Sequence, residues 1–285
     1  MDLLKEGGYS ELLREGEQDK LRHPSDASHR VPRYDWTCMT ETTRAFDAED
    51  DHDVSLWDEL PLWSALAGQL LLEHVPLTAQ RALDLGCGTG FPLLELAERL
   101  GPRAHVVGVD PWRAAMRRAA AKRAAWPVGN TSLLFGNGAR LPFRAATFNL
   151  VVSNLGVNNF AEPDVAFSEC RRVLRPQGTL ALSTNLAGHF DEFYATFEEV
   201  LTRLGDHSAL ARLHAHVGHR HTIESLGATL ERHGLHLTGT HRHEAVWRFR
   251  DGSALLAHHF IRLGILPGWQ EVAGGVNANS ILDAL

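Results

Sequence analysis

A chain of 285 residues is long enough for one large domain with additions or for two small ones. Its 44% apolar content is that of an ordinary globular protein, and it contains no run of eighteen apolar residues able to cross a bilayer. The net charge of −7 argues against a nucleic-acid partner, and three cysteines without framework spacing argue for a reducing, cytoplasmic setting over a disulfide scaffold.

In chain order, residues 1 to about 55 are polar and mixed, with no basic start and no apolar core of a secretory signal. Leu3, Leu4, Leu12 and Leu13 fit a short helix, and 22–33, with Pro24 and Pro32, reads as a connector. The acidic run 49–53 reads as a solvated loop, since its spacing lacks the glycine and distal Glu of a calcium loop. A helix follows and ends near Val75, with Ser55 and Asp58 as alternative caps. Residues 82–85 are a short apolar run broken by one acid, as in a buried strand. Gly86, Gly88 and Gly90 come next at every second position, and then Pro92 opens a helix through Leu100. The segment therefore reads strand, glycine loop, helix, and glycines let a ligand approach the main chain closely. A second strand, 104–109, ends in Asp110, and 112–125 is a helix. Strands over 132–135, 148–153 and 179–184 alternate with a helix over 163–174. Arg175-Pro176-Gln177-Gly178 reads as a turn into the last of these strands, with the positive-φ burden on Gly178. Such alternation implies a parallel sheet with helices on both faces. Beyond Asn185 the pattern changes to helices over 191–204, 209–217 and 223–233, strands over 235–243 and 245–249, a helix over 255–263 and a turn over 264–269.

Two cofactor classes use a glycine loop of this kind. The dinucleotide fingerprint is G-x-G-x-x-G. Here the third glycine comes one residue early, and Phe91 stands in its place. Asp84, two residues before the first glycine, suits a ligand with a cationic amino-acid end and would repel a pyrophosphate. An acid ending the second strand, Asp110, can accept hydrogen bonds from two ribose hydroxyls.

On these residues the chain resembles the class I S-adenosylmethionine-dependent methyltransferases, in the small-molecule branch that includes the quinone-biosynthesis enzymes. The first motif, D/E-x-G-x-G-x-G, appears over 84–90; the likeness continues through 136–143, 148–154 and 169–178, and is strong over about 80–185. The resemblance implies a doubly wound, Rossmann-like α/β fold. Its sheet would be seven-stranded and mostly parallel, with an antiparallel last strand, helices on both faces and a helical cap. Residues 1–57 are read as a lid segment, 58–285 as the methyltransferase domain and about 189–221 as a helical insertion; Tyr34, Trp36, Phe46 and Trp57 in the first, and Phe190, Phe193, Tyr194 and Phe197 in the last, are aromatic residues that would cover an apolar acceptor. S-Adenosylmethionine would then lie against Asp84, Gly86, Cys87, Gly88 and Gly90 by its methionine end. Its ribose would meet Asp110 and Pro111, its adenine Asn137, Gly138 and Ala139, and Asn154 would border the site. Asn137 stands where an Asp is usual and keeps a carbonyl acceptor. Asn149 likewise replaces a common Asp.

The end of the fourth strand lacks the Asn-Pro-Pro-aromatic signature of nucleic-acid amino methyltransferases, so the default acceptor is a small molecule, apolar or ring-bearing. Arsenic-methylating relatives need several cysteines, which three scattered ones do not supply. No metal site is expected, because no cysteine or acid completes the cluster of His214, His216, His219 and His221, or the pair His241 and His243. His189 is the candidate general base, to be weighed against an exposed loop histidine. Rival readings are an RNA or protein methyltransferase and a non-catalytic cofactor-binding protein.

Overall fold

A computed structural model describes residues 46–59, 62–126, 128–274 and 281. The readings placed on residues 1–45, including the aromatic residues Tyr34 and Trp36, lie outside these.

The element order is α1 (Asp51–Glu59), α2 (Leu62–His74), β1 (Arg81–Leu85), α3 (Leu93–Leu100), β2 (His105–Asp110), α4 (Arg113–Ala125), β3 (Thr131–Phe135), β4 (Phe148–Asn154), α5 (Pro163–Val173) and β5 (Leu174–Ser183), followed by α6 (Asp191–Leu204), α7 (His207–Gly218), α8 (Ile223–Arg232), α9 (Gly252–Ala257), a π-helical turn (Ile261–Ile265) and α10 (Leu266–Ala273). The five strands pair in parallel in the order β3-β2-β1-β4-β5. The order reverses between β1 and β4, and in open α/β sheets that crevice is where ligands bind.

Alternation along β1 sorts the core into two faces. Ala82 packs with α2, α3, Val106, Leu150 and Val152 on one side. Leu83 and Leu85 pack with Val109, Phe148, Val151 and α5 on the other. A separate cluster joins α6, α7, the π-turn and α10 around the fully buried Trp269. This cap replaces the turn expected over 264–269, because Pro267 falls in the first turn of α10, where it lacks no needed N–H.

Three local expectations are corrected. The acidic run does not stay a solvated loop but starts a helix. Asp50 accepts from the N–H groups of His52 and Asp53 at 2.9 and 3.0 Å, and Asp53 is buried and accepts from Asp47 N–H. Acids in a first turn complement the helix dipole, and Ser55 and Asp58 lie inside α1 rather than at its start. At β5, Gln177 itself takes φ 63°, while Gly178 does not. The excursion is a bulge: the register jumps from Phe148↔Leu174 to Leu150↔Thr179. Gly178 is needed for space, since a Cβ there would meet the Arg175 and Asn149 carbonyls at 3.0 and 3.1 Å.

The third correction concerns the sheet. Among the described residues it has five strands, all parallel; 235–243 and 245–249 form neither strands nor an antiparallel edge. They run irregularly and line, with β5, a cavity of about 1540 Å³. After Leu237 the residues are polar at both alternating positions up to Glu244, so no apolar stripe anchors a register. Leu237 and Val246 stay 47% and 73% exposed.

Candidate functional site

β1 ends at the glycine loop beside the switch point. Gly86 N–H donates to the Val109 carbonyl at 2.8 Å, and Gly90 N–H to that of Cys87 at 2.9 Å. Gly86, Gly88 and Gly90 take φ of 79°, 50° and 104°, values that an L side chain rarely adopts. At Gly88 an added Cβ would meet nothing within 4 Å, so this stretch of main chain faces open space.

Asp84 is fully buried, and neither of its carboxylate oxygens has a hydrogen-bond partner among the described residues. Burial first, and the charge of Asp110 second, push its acid up to about 8; the Leu93 backbone N–H, close by but outside hydrogen-bond geometry, offsets part of this. An unpartnered buried acid is costly unless a cation meets it. Asp110 is 7% exposed and accepts from Gly88 N–H at 2.8 Å and Trp112 N–H at 2.7 Å, one bond per oxygen. Burial raises its acid as well, and those two backbone bonds work against the rise. Each oxygen keeps acceptor capacity for a hydroxyl.

Cys87 is buried with its Sγ 3.6 Å from Met116 Sδ. Burial, then the acids Asp84 and Asp110, push its thiol well above the ordinary range, so it packs and does not react. Gly108 leaves it room, since a Cβ there would lie 2.8 Å from Sγ. Pro111 and Asn137 are exposed beyond β2 and β3, with Gly138 and Ala139 half-buried beside them. Gly138 packs close to Leu85 and Ala166, where a Cβ would come within 3.4 and 3.3 Å. The turn after β3 is thus seated against the end of β1.

Asn154, expected to border the site, has its amide engaged within the protein. Nδ2 donates to the Ser64 carbonyl at 2.9 Å, and Oδ1 accepts from Ser183 Oγ at 2.7 Å. Ser153 Oγ donates to the Leu85 carbonyl at 2.7 Å. These residues tie the tips of β1, β4 and β5 to α2. Sequence reading missed both serines; hydroxyls at the carboxyl ends of two adjacent strands were the available signal. Leu155 then takes φ 58°, and Gly156 admits the turn, since a Cβ there would sit 2.9 Å from the Leu85 carbonyl. Asn149 is remote from all of this: at the far end of β4, its Oδ1 accepts from Arg81 N–H at 3.2 Å.

His189 follows β5 and lines the large cavity rather than the glycine loop. Its ring meets Trp63 and Phe190 edge-on at 4.8 and 4.4 Å, and its Nδ1 is buried without a partner. Burial, with the nearby Arg220 charge, lowers its pKa to about 4. It is therefore neutral at pH 7, with no more basicity than a carboxylate. Three of the histidines read as a cluster have separate hydrogen-bond partners, His214 with Glu198 at 3.0 Å, His216 with the Tyr194 hydroxyl at 3.1 Å and His221 with Ser225 at 3.1 Å, while the His219 ring meets that of His216 at 5.6 Å. Of the lid aromatics, Phe46 packs on Trp57 and Trp57 on Phe260, while Tyr194 and Phe197 are buried in the cap's own core.

Comparison with known proteins gives this geometry its context. Residues 83–182 match the family model described as a methyltransferase domain. The chain is 36% identical over 101 residues to nocamycin O-methyltransferase of Saccharothrix syringae, covering 35% of this chain and 36% of that protein. It is 32% identical over 130 residues to demethylmenaquinone methyltransferase of Geobacillus kaustophilus, covering 44% and 56%. It is 36% identical over 104 residues to arsenite methyltransferase of Halobacterium salinarum, covering 36% and 27%. The chain thus spans about half or less of the length of the curated relatives it matches. A chain from the complex of the Haloferax volcanii Trm112 methyltransferase activator with a methyltransferase superposes with a TM-score of 0.52 at 20% identity, over 68% of this chain and 78% of that one, which is a likeness of fold. Strand, glycine loop, buried acid and family match agree: residues 83–182 form a methyltransferase domain.

Proposed function

We propose that this protein transfers a methyl group from S-adenosylmethionine directly to a small, largely apolar acceptor. The observation that carries the reading is Asp84, a buried carboxylate without a partner at the start of the glycine loop. It suits the ammonium of the cofactor's amino-acid end. Gly88 offers open main chain for the same end, and Asp110 keeps lone pairs for ribose hydroxyls. Asn137, Gly138 and Ala139 stand where the adenine would lie, with Pro111 nearby. When bound, the cofactor supplies a methyl carbon made electrophilic by its sulfonium.

What remains for the protein is alignment and exclusion of water, and alignment is worth up to roughly 7–11 kcal/mol. The acceptor would enter through the cavity along β5, whose walls near the strand tips include Trp63, Leu66, Leu155, Phe190 and Trp247. An apolar, aromatic lining suits a ring-bearing ligand. The arsenite relative does not move this reading, because the described cysteines Cys87 and Cys170 are buried, and burial pushes Cys170 up to about 12. His189 is too weak a base to take a proton from an alcohol or phenol efficiently. It serves better as a neutral hydrogen-bond partner for an acceptor that ionises by itself. We assign 46–59 and the cap to covering this site. Asn149, where an Asp is common, lies at the opposite end of β4 from the glycine loop, so its replacement gives the non-catalytic alternative no support.

The test is turnover of methyl-labelled cofactor against a panel of quinones, phenols, amines and carboxylic acids. Formation of S-adenosylhomocysteine together with a labelled product supports the reading. Tight cofactor binding with no transfer to any class would favour the non-catalytic one.

A further inference from the structure

α1 lies in a seam with α4 beside the glycine loop. Val54, fully buried, packs on Ala114 and Ala115. Asp51 pairs with Arg117 at 2.9 Å, and the Trp112 ring N–H donates to the Ala48 carbonyl. At the end of this seam Asp58, with only 8% of its side chain exposed, receives three donors. Thr89 Oγ1 donates to Oδ1 at 2.5 Å, Lys122 Nζ to Oδ1 at 2.6 Å and Arg118 Nε to Oδ2 at 2.9 Å. Thr89 is the only hydroxyl in the loop and lies between two positive-φ glycines. One carboxylate on α1 therefore holds the loop and two cations of α4 together.

We infer that Asp58 is a positioning residue for the cofactor: through Thr89 it sets the path of the glycine loop, and its charge offsets Arg118 and Lys122 so that a positively charged ligand is accepted beside them. This rests on reading the site as one for S-adenosylmethionine. That ligand carries a net positive charge, whereas S-adenosylhomocysteine lacks the sulfonium and is neutral overall. Without Asp58, two half-buried cations beside the loop are unbalanced, and their repulsion acts on the charged ligand alone. A purely structural loss would weaken both ligands alike, since they share every other group.

The experiment is calorimetry of both ligands on the wild type, Asp58→Asn, Lys122→Gln and Thr89→Val. Asp58→Asn is expected to weaken S-adenosylmethionine by at least about tenfold, the scale of one charged hydrogen bond, and S-adenosylhomocysteine by clearly less. Lys122→Gln, which removes a cation and tolerates an intact Asp58, is expected to move the preference the other way. Thr89→Val should weaken both ligands equally, and less in the Asp58→Asn background than in the wild type. An unmoved ratio of the two affinities in both Asp58→Asn and Lys122→Gln would overturn the role of Asp58. Should Asp58→Asn not fold, the Lys122→Gln ratio decides alone. Wild-type protein that binds neither ligand would instead overturn the reading of the site itself.

Discussion

Asp84 couples the cofactor site to pH. Its acid is raised from an ordinary value of 3.8 to about 8, chiefly by burial. A raised acid contributes stability that is complete below the unfolded value and is lost as pH climbs through the folded one. The cofactor-free protein should therefore melt progressively lower between about pH 4 and pH 8. Asp84→Asn removes this titration. The variant is expected to melt above the wild type at pH 8 while binding S-adenosylmethionine at least about tenfold more weakly, the scale of a lost charged interaction. Some slope should persist, because burial raises Asp110 too. Binding of the cofactor's ammonium needs the ionised acid, so at pH 7 it should release about one proton, measured by calorimetry in two buffers of different ionisation enthalpy. A variant no more stable than the wild type at pH 8 would contradict this account. The acid and its loop were legible from sequence, because glycine spacing and a lone acid in an apolar run are local signals. The engagement of Asn154 with Ser64 and Ser183 was not, since it joins residues 90 and 29 positions apart.

At the scale of elements, α2 is held against the glycine loop by a missing side chain. A Cβ on Gly68 would fall on the Phe91 ring and 2.9 Å from Asn154 Nδ2. Gly68→Ala gains helix propensity, yet overpacking should win, lowering stability by about 1–3 kcal/mol in a denaturant melt. Stabilisation instead would mean that the α2 seam yields. The strands and helices from β1 to β5 were legible because short apolar runs alternate along the chain with helical segments. The start of α1 was misread because an acidic run looks solvated until Asp50 is seen to cap it. Residues 235–249 misled for the opposite reason: apolar residues at both ends suggested strands, but the polar stretch between them has no buried face.

Across the whole molecule, two cores are stitched together. The sheet core lies on both faces of β1, and the cap core surrounds Trp269, whose ring N–H donates to the Tyr194 hydroxyl at 3.2 Å. The seam between them runs through Trp57, Trp63, Phe190 and Phe260, where Trp63 stacks on Phe260 at 5.4 Å. Trp269→Ala should cost about 3–5 kcal/mol. Because its damage lies in the cap, acceptor affinity should fall well before cofactor affinity, a split that binding titrations of both ligands would reveal. Equal loss of both would mean the two cores unfold as one. The cap's helices could be read from periodicity, but its packing on Trp269 joins 190–201 to 260–273, a long-range pairing that no local pattern announces.

The bulge in β5 bears on how copies of this chain behave together in a concentrated sample. A lateral strand offers a row of unsatisfied amides to any neighbour, and natural proteins blunt such strands with proline, charge and irregular backbone. Arg175, the exposed Pro176 and the left-handed Gln177 put all three in one place, on a strand whose one partner among the described residues is β4. Straightening it should turn a guarded border into a template for intermolecular pairing. Pro176→Val is expected to raise light scattering on storage faster than the wild type while far-UV dichroism at low concentration stays the same.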